Sequence, residues 1–449
     1  MKTPIVDFVR AYAASDISRL HMPGHKGHSF LGCEQYDLTE IAGADSLYEA
    51  DGIIAQSENN ASALFNTAHT FYSTEGSSQC IRAMLYLALQ NAPHTEKRPR
   101  LLAARNAHKT LVYSAALLDF DIDWLWSQHE NQFLCSCPLS PNELSDALQH
   151  AAAPAFAVFV TSPDYLGNIL DIAGLAAVCA AHNVPLLVDN AHGAYLHFLS
   201  PSQHPISLGA TVCCDSAHKT LSALTGGAYL QISPDATTSF ISNAHHALAL
   251  FGSTSPSYLI LQSLDLCNKY LAEDYPPKLS ACIEKIDRLK SKLQSIGLSV
   301  LDTEPLKLTV KASSSGFSGK ALAQLLRTNN VECEYADHDY LVLMFTPENT
   351  EADFLRIEET LQKTDFSPCT APSAVKFSSP ISACSIRTAI FAPHETIQVS
   401  NSVGRICASP TVSCPPAIPI VVSGEIIDNS AVRLFEYYDI KTVDVIAEL

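Results

Sequence analysis

The sequence predicts an α/β protein built on a mostly parallel sheet, with small α+β units toward the C-terminus. Two patterns carry that expectation. Between about residues 60 and 235, short apolar runs alternate with helical stretches, whereas from 305 to 363 the order becomes strand, helix, strand, strand, helix. Continuous apolar runs of about four to eight residues, separated by amphipathic helices, mark strands buried on both faces. A helix packed on a few short strands marks an α+β unit.

Taken in order, "RPRLLAAR" reads as a strand, "HKTLVYSAALLD" as a helix, "AFAVFVTSP" as a strand and "DIAGLAAVCAAHN" as a helix. "VPLLVDNAHG" and "GATVCCDSAHKT" read as two further buried strands. Chemistry in such sheets gathers beyond the carboxyl ends of the strands. Asp164, Asp189 and Lys219 each follow a predicted strand, so their loops are expected to converge on one crevice. A long helical stretch begins at "PSYLILQSLDLCNKYLAE" and runs to about residue 297. The expected division is an N-terminal segment (1–34), a large domain (35–297), a small α+β domain (298–365), a Ser- and Pro-rich linker (366–380) and a C-terminal domain (381–449).

A chain of 449 residues is too long for one simple core and suits two or three domains. Its 28 basic and 46 acidic residues give a formal charge of -18, which repels nucleic-acid phosphates and anionic lipid surfaces. The opening residues lack the apolar core of a signal peptide, and no apolar run approaches the roughly 20 residues of a membrane span. A cytoplasmic protein is expected. The 14 cysteines lie mostly in apolar runs such as "VCCD" and "AAVCAAH", which suits reduced core thiols better than disulfides. "FLCSC" has no second Cys/His pair at zinc-ligand spacing, so no metal site is expected there.

Four short stretches carry residues able to do chemistry. In "FYSTEGSSQCIRAMLYLAL", Gly76, Ser77 and Ser78 stand at a helix start, where free N–H groups attract an anion; helix capping explains the serines equally well. Asp189 ends a strand, where it can cap, pair with a cation, bind a metal or hold a proton on a pyridine nitrogen. His108 opens a helix and suits a cap as well as a catalyst. Lys219 sits directly behind an apolar strand, an unusual place for an ammonium group. No one of these is specific. Their order supplies the parts that pyridoxal 5'-phosphate (PLP) requires: an anion cradle, a ring-nitrogen carboxylate and an imine-forming lysine.

The chain resembles the ornithine/lysine/arginine decarboxylase family of fold type I PLP enzymes, in the short form without an N-terminal wing domain. The resemblance runs through "HMPGHKG", "YDLTEIAGADSLYEADGII", "YSTEGSSQCIRAML", "RNAHKTLVYSAAL", "LLVDNAHGAYL", "DSAHKTLSALTGGAYL", "GSTSPSYLILQSLD" and "CPPAIPIVVSGE". It implies a large domain of the aspartate aminotransferase type that binds PLP. Lys219 would carry the cofactor, Asp189 would pair with its ring nitrogen, and His108 would stack on its ring. Gly76, Ser77 and Ser78 would hold the phosphate, bordered by Ser216 and His218, with His192 also beside the cofactor. Thr254 and Ser255 match a stretch that reaches the phosphate from the neighbouring subunit, which implies a homodimer with shared sites, and larger assemblies are compatible with it.

The implied reaction is decarboxylation of a basic L-amino acid, arginine first and then lysine or ornithine, to agmatine or a diamine for polyamine metabolism. Lys219 or His218 would return the proton. Asp45, Glu49, Asp51 and Glu425 are the candidate partners of the substrate's distal cation, each of which also suits a loop or a cap. Two residues depart from the family's pattern: Glu75 stands where Asn is usual and Ala417 where Gly is usual. The alternatives are another fold type I PLP enzyme (lyase, desulfurase or aminotransferase) and, more distantly, a metal-dependent hydrolase using His21, His25 and His28 with Asp189 and His192.

Overall fold

The computed structural model describes residues 1–93, 97–126, 134–151, 153–364, 366, 379–412 and 417–447. The chain divides into two compact units. The first comprises Met1–His94, Phe156–Ser162 and Ile172–Pro277, and the second Thr95–Ala155, Pro163–Asp171 and Lys278–Leu449.

Seven strands make the large sheet: β1 (His69–Ser73), β2 (Arg100–Ala104), β3 (Asp121–Leu125), β4 (Ala155–Thr161), β5 (Leu186–Asp189), β6 (Val212–Asp215) and β7 (Ala228–Ile232). Their order is β1-β7-β6-β5-β4-β2-β3. The pairs β2/β3, β4/β5 and β5/β6 are parallel, and β7 runs antiparallel to both of its neighbours. All four residues of β5 and of β6 are buried, as strands covered on both faces require.

The antiparallel strand comes from the turn that carries Lys219. After β6 the chain makes one short helix, Ala217–Thr220, then folds straight back through Gly226 and Gly227 into β7. Gly226 has φ +97°, and a Cβ there would meet the Thr74 carbonyl oxygen at 2.8 Å. Only glycine fits so close an approach. The stretch "YSTEGSS" and the Lys219 turn are thereby held against each other, with Gly76 N donating to Gly226 O at 2.8 Å.

The long helical stretch is two helices, Tyr258–Glu273 and Tyr275–Ser295. Pro276 and Pro277 explain the break. Proline lacks the N–H that a continuing helix needs, yet fits the first turn of a new one. In the first unit, Asp265 on the former helix accepts Ile5 N and Val6 N at 3.0 and 3.1 Å, capping the helix Pro4–Ala13. The same carboxylate accepts Ser57 Oγ, within a buried network of Tyr72, Asn268 and Tyr229.

In the second unit the expected strand, helix, strand, strand, helix order is present. β8 (Lys307–Lys311), β9 (Tyr335–Ala336) and β10 (Tyr340–Met344) form an antiparallel sheet in the order β8-β10-β9, with helices Gly319–Thr328 and Glu351–Gln362. Lys307 is fully buried and pairs with Glu304 at 2.8 Å, while its Nζ also donates to Asp164 O at 3.0 Å. Asp164 holds its own turn by accepting Asn168 N and Nδ2 at 2.9 and 2.8 Å. Most of the expected linker, residues 367–378, lies outside the described residues. Beyond it, β11 (His394–Gln398) pairs with β14 (Thr442–Ile446), and β12 (Thr411–Val412) with β13 (Pro419–Val421). Ile420, Val421, Ile427, Phe435, Val443 and Val445 form a core for this part.

The described cysteines are free and most are buried. Among the described residues no helix is long and apolar enough to cross a membrane.

Candidate active site

Parallel pairing sets Asp189, the last residue of β5, opposite Cys214 of β6. Asp189 is buried, and its Oδ1 accepts Ala191 N at 3.2 Å and the Cys214 thiol at 3.5 Å. Burial pushes the Asp189 carboxyl above its usual range, and the nearby positive charge of Lys219 opposes that rise. Lys219 Nζ lies 3.0 Å from Nε2 of the buried His192. Strand end, lysine and histidine thus meet at the carboxyl ends of neighbouring parallel strands, where the sequence pattern predicts the site.

His218 is fixed by its backbone and its ring together. Its N–H and Nδ1–H both donate to Gly227 O, at 3.2 and 3.0 Å, which leaves Nε2 as the acceptor nitrogen. Burial holds its pKa below the usual histidine value, so the ring is neutral near pH 7. Beneath these residues lies a polar network with no exposure at its centre. Asp215 accepts Asn190 Nδ2 at 2.6 Å, Gln231 Nε2 at 2.8 Å and His204 Nε2 at 3.1 Å, and Thr70 Oγ1 donates to Gln231 Oε1 at 2.6 Å. The network ties β1, β6 and β7 to the residue following Asp189, so the strand ends carrying the site form one braced layer.

The stretch expected to cradle an anion opens a helix. The helix Gly76–Gln90 begins after Glu75, which makes no side-chain cap bond, so Ser77 and Ser78 lie in the first turn rather than at the cap. Gly76 has φ +72°, and a Cβ added to it would meet nothing within 4 Å. The departure at Glu75 is resolved: its Oε1 accepts Ser253 N at 3.0 Å. Thr254 and Ser255, next along that segment, are exposed.

In the second unit, His108 caps the helix Lys109–Leu118, its Nδ1 accepting from Thr110 N and facing Thr110 Oγ1 at 2.8 Å. The capping contacts fix the ring. Lys109 N donates to Ala417 O at 2.9 Å, and Ala417 has φ +58°. The left-handed region is where glycine is at ease, so the departure at position 417 carries backbone strain.

The four candidates for the substrate's distal cation separate. Asp45 is buried, and its carboxylate accepts the N–H groups of Asp51, Gly52, Ile54 and Ala55, serving as the cap of the helix Ile53–Phe65. Glu425 is buried in the second unit, accepting Val422 N at 2.7 Å and facing Arg105 at 3.4 Å. Glu49 and Asp51 are exposed. Of the histidines considered for a metal site, His21 bonds Tyr12 OH and His25 bonds Asp37. Among the described residues the only cluster of three or more metal-type donors is His204, Cys213 and Asp215, already joined through hydrogen bonds.

Two residues escape a sequence reading. Arg105, in the quoted "RNAHKT", donates to Pro419 O and Ile420 O and lies over both Trp124 and Trp126. Cys214 touches Asp189 only because of the strand register, for which a single sequence has no direct signal.

The residues present fit PLP. The buried Ser216 Oγ, three residues before Lys219, has no hydrogen-bond partner among the described residues, and a phosphate oxygen would satisfy it. The open space at Gly76 allows a phosphate to approach backbone N–H groups.

The profile of the family described as "Orn/Lys/Arg decarboxylase, major domain" matches residues 3–303. The chain is 28% identical to the Bacillus subtilis protein YaaO over 460 residues, covering 96% of this chain and 93% of that one. It is 27% identical to a Bacillus subtilis arginine decarboxylase over 465 residues, covering 95% and 91%. Among solved structures, the Francisella novicida lysine decarboxylase LdcF superposes with a TM-score of 0.82 at 15% identity, over 99% of this chain and 81% of that one. With a mostly parallel sheet, a lysine behind a strand end and this match over most of its length, the chain belongs to the Orn/Lys/Arg decarboxylase family and is a fold type I, PLP-dependent amino-acid decarboxylase.

Proposed function

We propose that this decarboxylase acts on a basic L-amino acid, arginine before lysine or ornithine, and yields agmatine or a diamine for polyamine metabolism. The observation that carries the chemical part is that Lys219, just beyond β6, lies 3.0 Å from the buried His192 and close enough to the buried Asp189 at the end of β5 for its charge to act on that carboxyl. The preference for arginine is supported by the similarity, over 95% of the chain, to a protein named arginine decarboxylase.

Lys219 is the attachment point of PLP, Asp189 the partner of its ring nitrogen, and Gly76, Ser77, Ser78 and Ser216 the holders of its phosphate. When bound, PLP supplies a carbonyl carbon that condenses with amines and a protonated ring that accepts the electron pair released with CO2. The chain's part is electrostatic and geometric. Asp189 keeps a negative charge beside the ring nitrogen in a dry setting. His192, 3.0 Å from Nζ, steers the lysine amine as it leaves and returns. Proton return to the substrate carbon falls to Lys219 rather than His218, because His218 is neutral and spends its Nδ1–H on Gly227 O.

For the distal cation, Glu49 and Asp51 are the candidates whose carboxylates are exposed, whereas Asp45 and Glu425 serve backbone and ion-pair duties. A homodimer suits the apolar surface of the N-terminal segment, where Leu20 is 93% exposed, Leu31 88% and Phe30 81%. The test is CO2 release by the purified protein from arginine, lysine and ornithine. The highest kcat/KM is expected for arginine, with none for Lys219→Ala. Release of an oxo acid without CO2 would overturn the reading.

A further inference from the structure

We propose that Cys214 is a positioning residue for Asp189: its thiol pins one carboxylate oxygen so that the other is presented to the ring nitrogen of bound PLP. This rests on the reading of Asp189 as the cofactor's partner.

The register makes the contact. Asp189 and Cys214 are directly paired on parallel strands, so their side chains share one face of the sheet, while the adjacent Cys213 turns to the other face and lies 3.9 Å from His204. Among the described residues, both hydrogen bonds to the Asp189 carboxylate end on Oδ1: one from Ala191 N at 3.2 Å, one from Cys214 Sγ at 3.5 Å. Oδ2 is left for a ring N–H. Backbone and side-chain donors on one oxygen fix the plane of the carboxylate, which a single bond does not.

The donor is a thiol with no solvent exposure. Burial and the neighbouring Asp189 charge push its pKa well above the usual cysteine value, so it stays S–H, a donor toward the carboxylate. A thiol is a weak donor. It orients Asp189 while drawing little negative charge away from Oδ2, whereas a hydroxyl at the same place would compete with the cofactor's nitrogen for that charge.

The experiment compares wild type with Cys214→Ala, Cys214→Val and Cys214→Ser. The readouts are the PLP dissociation constant by equilibrium dialysis of the holoenzyme, the pH midpoint of the visible absorption band, and the thermal melting of each apoprotein. Loss of one hydrogen bond predicts about three- to tenfold weaker PLP binding in the Ala and Val variants. Val separates donor loss from packing loss, since it fills the space without an S–H. Ser is expected to restore binding with a displaced pH midpoint. Wild-type affinity and midpoint in the Val variant would overturn the proposal, as would a weakening in all three that follows apoprotein melting alone. An Asp189→Ala protein with wild-type affinity and spectrum would instead sink the Asp189 reading, and this inference with it.

Discussion

Lys219 Nζ lies 3.0 Å from Nε2 of His192, a ring carried by the loop that follows Asp189. An ammonium at that distance donates to the ring nitrogen, so His192 sets where the amine waits. His192→Ala is expected to slow holoenzyme formation and to lower kcat by about tenfold or more. His192→Gln, which restores an acceptor, recovers part of the loss. Following the visible band after mixing apoprotein with PLP gives the rate, and an unchanged rate in the Ala variant would remove this role.

Glu425 is expected to act on stability rather than on substrate choice. It is buried beside Arg105, whose guanidinium also serves two backbone carbonyls. Burial lowers the Arg105 pKa and raises that of Glu425, each opposed by the other's charge. Glu425→Ala leaves a buried cation without its carboxylate, a loss of about 3–5 kcal/mol. Chemical denaturation measures it. A normal unfolding midpoint with a selectively raised KM for arginine would return Glu425 to the substrate pocket.

Ala417→Gly is expected to stabilise the protein. The residue has φ +58°, and the strain of a Cβ there exceeds the extra unfolded-state freedom of glycine by about 0.5–1 kcal/mol. A higher Tm checks it; a lower one would mean that the Ala417 methyl group packs well enough to offset the strain.

Two groups of the first unit impose opposite pH slopes on stability. Burial pushes Asp265 up to about 6, against hydrogen bonds that lower it. Its contribution is complete below about pH 4 and is lost as pH rises through 6. Burial, aided by His204, pushes His197 down to about 4. Its contribution is complete above about pH 6.5 and is lost as pH falls through 4. Each is on the order of 3 kcal/mol, so they nearly cancel in wild type. Asp265→Asn should leave a stability that rises from pH 4 to 6.5, and His197→Phe one that falls. Unfolding curves across that window test the signs, and parallel profiles for both variants would contradict them.

Most of the parallel strands are legible in the sequence because buried strands are uniformly apolar, and the candidate site residues stand out because they follow the strand ends. β3 was not, since "DIDWL" carries two acids at its sheet edge, which pair with Arg98 and Arg100. The antiparallel course of β7 depends on Gly226 packing against Thr74, a contact that no local pattern announces. A lysine behind an apolar strand was the strongest clue, yet burial alone is not diagnostic: Lys307 is more deeply buried and is a structural partner of Glu304. What distinguishes Lys219 is its company, a histidine at 3.0 Å and a buried aspartate on the next strand. Cys214 reads in the sequence as a reduced core thiol, because a sequence fixes which residues of a strand share a face, but not which residue of the next strand lies opposite.

The most direct test is peptide mass spectrometry of the holoprotein after borohydride reduction. The expected result is one phosphopyridoxyl group, on the peptide that contains Lys219. An adduct on another lysine, or no adduct in protein that still releases CO2 from arginine, would contradict the assignment.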